Sequence, residues 1–322
     1  MGLLLGSQGL RVWDLVGVGD IDVDVFLGVE NVAGRDDKVL GKLLGEHPGG
    51  MIANVCCVAS RLGASAAMIG RIGTDPYAEV ALKGMQEHGV DTSLVRVVQG
   101  GRTFYCVIML DGSGEKALTA VDTDCHLPRR EDIDPDSFTK TRLVHLMGDD
   151  LETACWTATE ARSRGAKVSL DLEPSTAVHG LRALRPLLEN TDILFMNGNG
   201  SRMAFGDDTM ASALKALAFG PQVVAITRGA KGATVVDQTN TIHVNALRKP
   251  ILDTTGAGDC FIGAFLTRLL HGADIASAAR YATAAASYAI GSVGSRTSLP
   301  THDMVLSRVE ETVIRNAQPG ES

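Results

Sequence analysis

Two acids and two threonines surround three small residues in the stretch from Asp253 to Phe261, which reads Asp-Thr-Thr-Gly-Ala-Gly-Asp-Cys-Phe. An apolar lead-in precedes this stretch and an alanine-rich helical pattern follows it, so we expect a helix to begin at the small residues. The first backbone N–H groups of a helix lack partners within it and carry partial positive charge, which suits an anion. Because Gly256, Ala257 and Gly258 have little bulk, a phosphoryl group could approach their amides.

Asp259 falls in the first turn of the expected helix. A carboxylate beside a bound phosphoryl group can accept the proton of an attacking hydroxyl. The pattern therefore predicts phosphoryl transfer to an alcohol, with Asp259 as the base. A plain tight turn before a helix would also use Gly-x-Gly, but it would not require the acids and threonines.

A second polar group lies near the start of the chain, where Asp20, Asp22 and Asp24 alternate with apolar residues. This alternation predicts a half-exposed strand with three carboxylates on one face. Because like charges repel, we interpret that face as a binding surface for sugar hydroxyl groups or a cation, ahead of a solvated strand face. The aspartate at position 22 breaks the Gly-x-Gly-x-x-Gly fingerprint of dinucleotide binding.

Composition narrows the class of protein. The chain has 322 residues, of which 45% are hydrophobic and 21% charged, as in ordinary soluble globular proteins. A net charge of −8 offers no basic field for nucleic acid or an anionic membrane. Residues 1–10 do not read as a signal peptide, and the six cysteines form no Cys-x-x-Cys pair. We therefore expect a cytoplasmic protein with reduced thiols and no zinc site.

Strand and helix patterns alternate along most of the chain, which predicts a mainly parallel sheet with helices on both faces. The expected strands are Val12–Val18, Met68–Gly73, Leu143–Met147, Val168–Leu172, Ile193–Met196 and Val223–Thr227, and the expected helices are Met51–Leu62, Ala78–His88, Glu152–Arg164 and Leu181–Leu188. Ligands of such sheets bind beyond the carboxyl ends of the strands. The polar residues expected at that rim are Asp20, Asp22, Asp171, Asn197, Thr227 and Asp253.

One part of the chain departs from this alternation. Period-two patterns at Thr103–Leu110 and Ala117–Val121 flank an Asp111-Gly112 turn, which indicates a β-hairpin. Residues 27–47 contain recurring glycines and match a short two-sided sheet or a loop better than a core element. Together with the hairpin, they predict a small sheet that is separate from the main sheet. Such a sheet could serve as a lid over the site or as a dimer contact.

Two groups of residues give the chain a resemblance to the ribokinase-like carbohydrate kinases, also called the PfkB family. The first is Asp253 to Asp259, followed by Phe261. The second is Gly49-Gly50 with Ala53-Asn54, and the run Ile69 to Asp75. The resemblance extends from about Val12 to Pro300. It implies a three-layer α/β/α fold with a mainly parallel sheet and a small β-sheet lid.

The resemblance also implies roles for individual residues. Asp259 would be the base, and the amides of Gly256, Ala257 and Gly258 would form an anion hole for the γ-phosphoryl group. The residues that would bind the sugar are Asp22, Asp24, Gly49, Gly50 and Asn54. Those that would bind the nucleotide are Asn197, Thr227, Gly229 and Gly232. Those matching a monovalent-cation (K⁺) site of some members are Asp253, Thr255, Ala289, Ser292 and Gly294.

The implied activity is ATP-dependent phosphorylation of a primary hydroxyl of a small sugar, a pentose or hexose, with Mg²⁺. A homodimer paired through the lid is expected. The implied domain limits are 12–300 for the kinase domain, with lid strands within about 20–47 and 97–122, and 301–322 for a C-terminal helix and tail. Two alternatives stay open: a nucleoside kinase of the same fold, and a sugar-binding relative without catalysis.

The chain departs from the family pattern at one metal-associated position. The family carries Asn-x-x-Glu, whose glutamate helps to organise Mg²⁺ and its waters, but the run here is Asn197-Gly198-Asn199-Gly200. A neighbouring acid or the nucleotide would then hold Mg²⁺, which needs few protein ligands. Ribose-specific members have lysine where Met51 stands, and a substrate-facing carboxylate where Gly148 stands. These departures weigh against ribose as substrate and leave the phosphoryl-transfer residues intact.

Overall fold

The computed structural model describes residues 12–112, 116–247 and 249–316. The opening segment 1–10, considered above as a candidate signal peptide, and the end of the tail, 317–322, lie outside the described residues. The strands found in the described part are, in chain order, β1 (Trp13–Val18), β2 (Asp22–Gly28), β3 (Lys42–Gly49), β4 (Ala66–Ile69), β5 (Arg71–Ile72), β6 (Arg96–Val97), β7 (Phe104–Leu110), β8 (Lys116–Val121), β9 (Thr141–Met147), β10 (Lys167–Leu172), β11 (Ile193–Asn197), β12 (Val223–Thr227), β13 (Ala233–Val236), β14 (Thr241–Val244) and β15 (Ile314–Asn316).

The helices connect and cover these strands. In the same ranges they are α1 (Met51–Arg61), α2 (Pro76–Gln86), α3 (Leu151–Ser163), α4 (Pro174–Ala177), α5 (Gly180–Glu189), α6 (Gly198–Phe205), α7 (Met210–Leu217), α8 (Ala257–Leu270), α9 (Ile275–Ala289) and α10 (His302–Val309). None of the helices in the described ranges has both the length and the apolarity needed to cross a lipid bilayer.

Nine strands form the main sheet, in the order β15-β14-β13-β12-β11-β10-β9-β1-β4. The strands from β4 to β12 run parallel, and β13, β14 and β15 add an antiparallel edge. The mainly parallel sheet predicted from the alternating patterns is confirmed. The sequence predicted a helix and tail after residue 300, and the structure adds that the segment Ile314–Asn316 joins the sheet edge.

Helices cover both faces of the main sheet, as the near-continuous apolar strands require. In β1, Leu15 packs with the core formed by α1, α8 and α9, whereas its neighbour Val16 packs with the core formed by α3, α5 and α7. Successive strand residues point to opposite faces, so each strand supplies both cores. The three-layer α/β/α architecture is confirmed.

Close packing between α1 and α8 brings two distant parts of the chain together. A Cβ atom on Gly263 of α8 would lie 2.7 Å from Cβ of Val58 and 2.8 Å from the carbonyl oxygen of Val55, both in α1. The missing side chain thus lets the two helices approach at backbone distance. One turn earlier in each helix, the same contact sets Asn54 of α1 beside Asp259 of α8.

A separate four-stranded sheet has the order β3-β2-β7-β8. Strands β7 and β8 pair antiparallel, which confirms the predicted hairpin. The expected half-exposed strand at residues 20–26 is wrong in two respects, because β2 begins at Asp22 and its aspartates are buried. The reason is that both faces of β2 are covered, since Val23 packs into the core with α1 while Asp22 and Asp24 lie against Gly49.

The single strand expected at residues 68–73 is also wrong. Strand β4 ends at Ile69 in the main sheet, and β5 pairs with β6 in a two-stranded sheet. At the break, a Cβ on Gly70 would lie 2.6 Å from Cδ1 of Ile21 and 2.9 Å from the carbonyl oxygen of Gly19. Glycine at this position allows the chain to turn against the end of β1.

Candidate active site

The helix expected at the small residues begins at Ala257, as α8. Gly256 precedes it with φ +76°, a left-handed conformation that favours glycine. A Cβ on Gly256 would lie 2.7 Å from Cβ of Ser295, whereas one on Gly258 would meet no atom within 4 Å. The first turn of α8 therefore packs against the 294–296 segment on one side and opens to a cavity on the other.

Asp259 lies in this first turn and lines the cavity. Its Oδ2 atom accepts a hydrogen bond of 2.7 Å from Nδ2 of Asn54. Desolvation raises the pKa of Asp259 to about 7, and the charges of Asp20 and Glu173 act in the same direction, while the bond from Asn54 opposes the rise. A carboxyl group with a pKa near neutrality is suited to accept a proton at physiological pH.

The two aspartates of β2 face the glycine pair at the end of β3. Asp22 pairs with Gly49 in the β-ladder, and a Cβ on Gly49 would lie 2.1 Å from Oδ1 of Asp22 and 2.8 Å from Oδ2 of Asp24. Gly50 has φ +95° and starts α1. Glycine is required at position 49 because a side chain would displace the carboxylates, and at position 50 because a Cβ would lie 2.7 Å from the backbone carbonyl oxygen of Asp20.

Asp22 has an unused acceptor at this place. Its Oδ1 atom is buried without a hydrogen-bond partner among the described residues. Burial, followed by the charges of Asp24 and Asp20, raises the pKa of Asp22 well above its ordinary value. Burial likewise raises the pKa of Asp24 to about 6. A ligand that donates hydroxyl groups would satisfy these oxygens.

Asp20 has a different position from its two neighbours. Its carboxylate accepts the backbone N–H groups of Met51 and Ile52, each at 3.0 Å, at the start of α1. Burial still raises the pKa of Asp20, although these two bonds oppose the rise. The expectation of three carboxylates on one strand face is therefore wrong for Asp20, which precedes β2 and holds the helix that follows the glycine pair.

Asn197 and an acid from the neighbouring strand form the opposite wall. Nδ2 of Asn197 donates to Oε1 and Oε2 of Glu173 at 3.1 and 3.0 Å. A Cβ on Gly200 would lie 2.5 Å from the carbonyl oxygen of Leu172, so a glutamate has no room there. Burial raises the pKa of both Asp171 and Glu173, and each also feels neighbouring carboxylates.

The loop after β12 closes the other end of the cavity. Thr227 pairs with Asn197 across adjacent strands, and Gly229 and Gly232 have φ of +54° and +85°. A Cβ on Gly232 would lie 2.0 Å from the carbonyl oxygen of Val244. The basic side chains that line the cavity are Arg202, Arg228, Lys231 and Lys249.

The residues expected at a monovalent-cation site are partly joined by hydrogen bonds. Asp253 accepts from the N–H and hydroxyl groups of Thr255 at 3.0 and 2.7 Å, and from N–H of Gly294 at 3.1 Å. Nζ of Lys116, from the small sheet, lies 3.2 Å from Asp253 and 2.9 Å from the hydroxyl of Thr255. Burial acts to raise the pKa of Asp253, but these partners lower it below its ordinary value.

Two further residues of that set lie near the end of α9. The carbonyl oxygen of Ala289 accepts from the hydroxyl of Ser298 at 3.4 Å, and Oγ of Ser292 is buried without a partner among the described residues.

One cavity of about 1370 Å³ is lined by the aspartates of β2, the first turn of α8, the Asn197 wall and the loop after β12. Ligand pockets for one small molecule are commonly about 300–1000 Å³. The cavity is therefore large enough for two ligands. Its carboxylate end contains Asp22, Asp24 and Asp149, and its basic end contains the four cations named above. An anionic and a neutral ligand would be drawn to opposite ends, with Asp259 between them.

Sequence reasoning missed three polar side chains of the site. Glu173 follows Asp171 at a spacing of two at the end of a strand, and that same-face spacing was a usable signal. Lys116 and Arg296 reach Asp253 and Asn54 across 137 and 242 positions. No local pattern marks such long-range contacts.

The chain is similar to known proteins over most of its length. A family model described as "pfkB family carbohydrate kinase" matches residues 14–302. The chain is 29% identical to an ATP-dependent ribose-1-phosphate kinase of Halopiger xanaduensis, over 92% of this chain and 98% of that one. It is 26% identical to a nucleoside kinase of Methanothermobacter thermautotrophicus, over 89% and 92%.

Among solved structures, the chain is similar to the ribokinase of Arabidopsis thaliana complexed with ribose and ATP. The TM-score is 0.79 at 23% identity, and the match covers 92% of this chain and 99% of that one. The likeness confirms the fold.

We predict that Asp259→Asn stabilises the fold above pH 7 and has little effect below about pH 4. The pKa of this carboxyl group rises from 3.8 to about 7 on folding. It is protonated in both states at low pH, whereas at high pH the folded state bears a desolvated charge, at a cost on the order of a few kcal/mol. Urea unfolding at pH 4 and pH 8 measures the difference. Asp274→Asn, which keeps an N-cap on α9, is the control. Equal stability of wild type and Asp259→Asn at pH 8 would contradict the prediction.

Proposed function

The chain belongs to the pfkB family of carbohydrate kinases, and from this premise we propose that it transfers the γ-phosphoryl group of ATP to a primary hydroxyl of a small sugar, a pentose or hexose. The observation that carries the proposal is the position of Asp259. It lies in the first turn of α8, held by Asn54, in the cavity that the aspartates of β2 and the four basic residues also line, and it is near enough to Asp20 and Glu173 for their charges to raise its pKa. A base placed there can reach both the acceptor hydroxyl and the phosphoryl group.

Each wall has a distinct part in the reaction. The sugar binds to Asp22 and Asp24 beside Gly49 and Gly50, and Asn54 orients the base. The nucleotide lies along Asn197, Thr227, Gly229 and Gly232, with its phosphates directed to the amides of Gly256, Ala257 and Gly258. Asp259 takes the proton as the hydroxyl oxygen attacks in line, and the amides stabilise the charge on the transferred group.

The charge of the cavity favours an unphosphorylated acceptor. At the carboxylate end, the lining residues of the described part include Asp20, Asp22, Asp24 and Asp149. A phosphate on the sugar would be repelled there and would need arginine or lysine as a partner. We therefore propose a neutral sugar, although one relative bears the name of a ribose-1-phosphate kinase.

A nucleoside is the second candidate acceptor. The rings of Phe104 and His126 stack with centroids 4.0 Å apart, and both line the cavity. A nucleobase could extend this stack. A substrate panel of pentoses, hexoses and nucleosides separates the two candidates. A nucleobase that contacts the Phe104–His126 stack would give nucleosides a higher kcat/KM than free sugars.

We expect ATP consumption with at least one neutral sugar, and a fall in kcat/KM as pH drops through about 7, since Asp259 must be ionised to act as the base. Asp259→Asn should lower kcat by about 10²–10⁴-fold, the usual contribution of a positioned base. A coupled ADP assay across pH 5.5–9 measures both effects. Asp274→Asn should behave as wild type.

Two other results would be informative. Near wild-type turnover by Asp259→Asn would overturn the mechanism. Thermal stabilisation by a sugar without ATP consumption would instead identify a sugar-binding relative without catalysis.

We propose that Mg²⁺ accompanies ATP, with Asp171 and Glu173 as its protein partners in place of the glutamate that Gly200 replaces. Carboxylate oxygens suit this hard cation, and both acids line the cavity beside Asn197. Mg²⁺ neutralises the charge of the phosphates when it is bound. The residues Asp171 and Glu173 would orient the ion or its waters.

Glu173→Gln should weaken metal binding by about 10–100-fold, the effect usual for residues that orient metal ligands. Electron paramagnetic resonance of Mn²⁺ titrated into the protein with ADP measures this directly, without turnover. Glu160→Gln on α3 is the control. Unchanged Mn²⁺ affinity in Glu173→Gln would exclude this acid from the metal site.

We propose a K⁺ site next to Asp253, with Thr255, Ala289, Ser292 and Gly294 around it. The buried, unpartnered hydroxyl of Ser292 supports it. Nζ of Lys116, which contacts Asp253 and Thr255, already balances part of the charge of Asp253. Activity in potassium chloride that equals activity in tetramethylammonium chloride would exclude the cation.

We propose that the small sheet is a lid on the kinase domain, residues 12–300, and that two chains pair through it. Its strands fall within about 20–47 and 97–122, and residues 301–322 form the C-terminal extension. Leu40, Leu43 and Leu44 are 94%, 57% and 52% exposed on this sheet and its approach. Burial of such leucines between two copies would remove apolar surface from water. We also propose a cytoplasmic location, where the six cysteines, none of which is in a disulfide, would stay reduced.

Replacing Leu43 and Leu44 together by Glu should convert a dimer to a monomer, because charges would then face each other at the contact. Light scattering with size-exclusion chromatography measures the mass. Leu214→Glu, at a leucine that is 42% exposed on α7, is the control. A wild-type mass of one chain would contradict the proposal.

A further inference from the structure

The segment from Gly294 to Arg296 contacts several parts of the site at once. Gly294 donates to Asp253, and Cβ of Ser295 lies against Gly256. The hydroxyl of Ser295 lies 3.1 Å from Oδ1 of Asn54. None of these three residues lines the cavity. The segment therefore contacts the site residues on the side that faces away from the cavity.

Within this segment, Arg296 donates hydrogen bonds to two different parts of the site. Its side chain is buried, with the whole residue 6% exposed. Nε donates to Oδ1 of Asn54 at 2.7 Å, and Nη2 donates to the carbonyl oxygen of Gly49. Nη1 faces α2 near Gly84 and has no partner among the described residues.

The burial of this guanidinium is costly for folding. Within the described part of the chain, no carboxylate oxygen lies within ion-pair distance of Arg296, whereas the other buried arginine, Arg71, pairs with Asp132 at 3.3 Å. A buried cation without a direct counter-ion destabilises the folded state. Arg296 therefore calls for a role other than stability.

The contacts with Asn54 supply that role. An amide oxygen accepts and an amide nitrogen donates, so a donor at Oδ1 determines which way the amide faces. Arg296 and Ser295 both approach Oδ1, and this leaves Nδ2 directed at Asp259, 2.7 Å away. If Arg296 did not hold the amide, it could turn its oxygen towards the carboxylate and repel it.

We propose that Arg296 is a positioning residue for phosphoryl transfer, which fixes the amide of Asn54 against the base Asp259 and holds the backbone of Gly49 beneath the bound sugar. The inference rests on the proposed function, since it concerns the same reaction. Arg296 touches neither substrate and acts through Asn54 and Gly49.

The positive charge of Arg296 has a second effect on the same groups. It lowers the pKa of Asp259, Asp22 and Asp24, against burial, which raises all three. The charged groups that face Asp259 are Asp20, Asp22, Asp171, Glu173 and Arg296. Arg296 is the cation of this set, so its removal raises the pKa of the base.

The test compares three variants of Arg296 with wild type and with Arg71→Met, a buried arginine that does not line the cavity. Arg296→Met should lower kcat/KM for the sugar by up to about 10²-fold, because a misplacement of reacting groups by about 1 Å can cost that much. It should also move the acid limb of the pH profile to higher pH. Arg296→Gln keeps a donor for Asn54 and loses the charge, so it should recover part of kcat but keep the shifted limb.

The remaining variants separate positioning from folding. Arg296→Lys keeps the charge and should leave the acid limb close to that of wild type while raising KM for the sugar, because one ammonium cannot hold both Asn54 and Gly49. Arg71→Met should lower thermal stability without moving the acid limb. Wild-type kcat/KM and an unmoved limb in Arg296→Met and Arg296→Gln would overturn the proposal.

A measurement without turnover distinguishes failure of this inference from failure of the proposed function. Carbon-13 NMR of aspartate carboxyl groups, with Asp259→Asn to assign the signal, follows the titration of Asp259 directly. The signal should titrate at higher pH in Arg296→Gln than in wild type, even if no alcohol is phosphorylated. An identical titration in the two proteins overturns the inference, whereas absent turnover in wild type overturns only the function.

Discussion

The structure depends on keeping several carboxylates close together in a place that water reaches poorly. Asp22, Asp24, Asp171 and Asp259 lie at strand or helix ends around one cavity, and burial raises the pKa of each. Mutual repulsion would open such a site unless other groups hold it. The backbone amides at the start of α1, the amide of Asn54 and the guanidinium of Arg296 provide that hold. Two apolar cores, one on each face of the sheet, supply the stability that this arrangement requires.

The fold could be predicted from the sequence because its signals are local. Apolar strands that alternate with helical patterns indicate a parallel sheet, and Gly256 to Asp259 mark a helix start that faces an anion. Within the site, the residues that belong to sequence motifs, such as Gly49 to Asn54 and Asp253 to Asp259, could be predicted. Asp20 lines the cavity as predicted but lies outside β2, because alternation alone does not show that its carboxylate binds the amides of Met51 and Ile52. Tertiary contacts, and not periodicity, decided that position.

The contacts that sequence reasoning could not supply join residues far apart in the chain. Arg296 reaches Asn54 only because α1 packs closely on α8 and the chain after α9 returns beside them. Lys116 reaches Asp253 only because the small sheet folds over the cavity. Gly200 and Glu173 are a related case, because a side chain at position 200 would meet the carbonyl oxygen of Leu172, and the carboxylate that Asn197 contacts comes from Glu173 instead. Only the folded chain shows that these two positions are neighbours.

The link between Lys116 and Asp253 has a consequence for the order of events in a catalytic cycle. Lys116 belongs to the small sheet, whereas Asp253 and Thr255 precede the first turn of α8. If the sheet moved to admit a sugar, as its proposed role as a lid requires, this pair would separate and Asp253 would lose its ammonium partner. The turn before α8 would then recover all of its contacts only after the sheet had returned. ATP bound in the open cavity would lie beside an incompletely supported turn, so its wasteful hydrolysis would be disfavoured until an acceptor was in place.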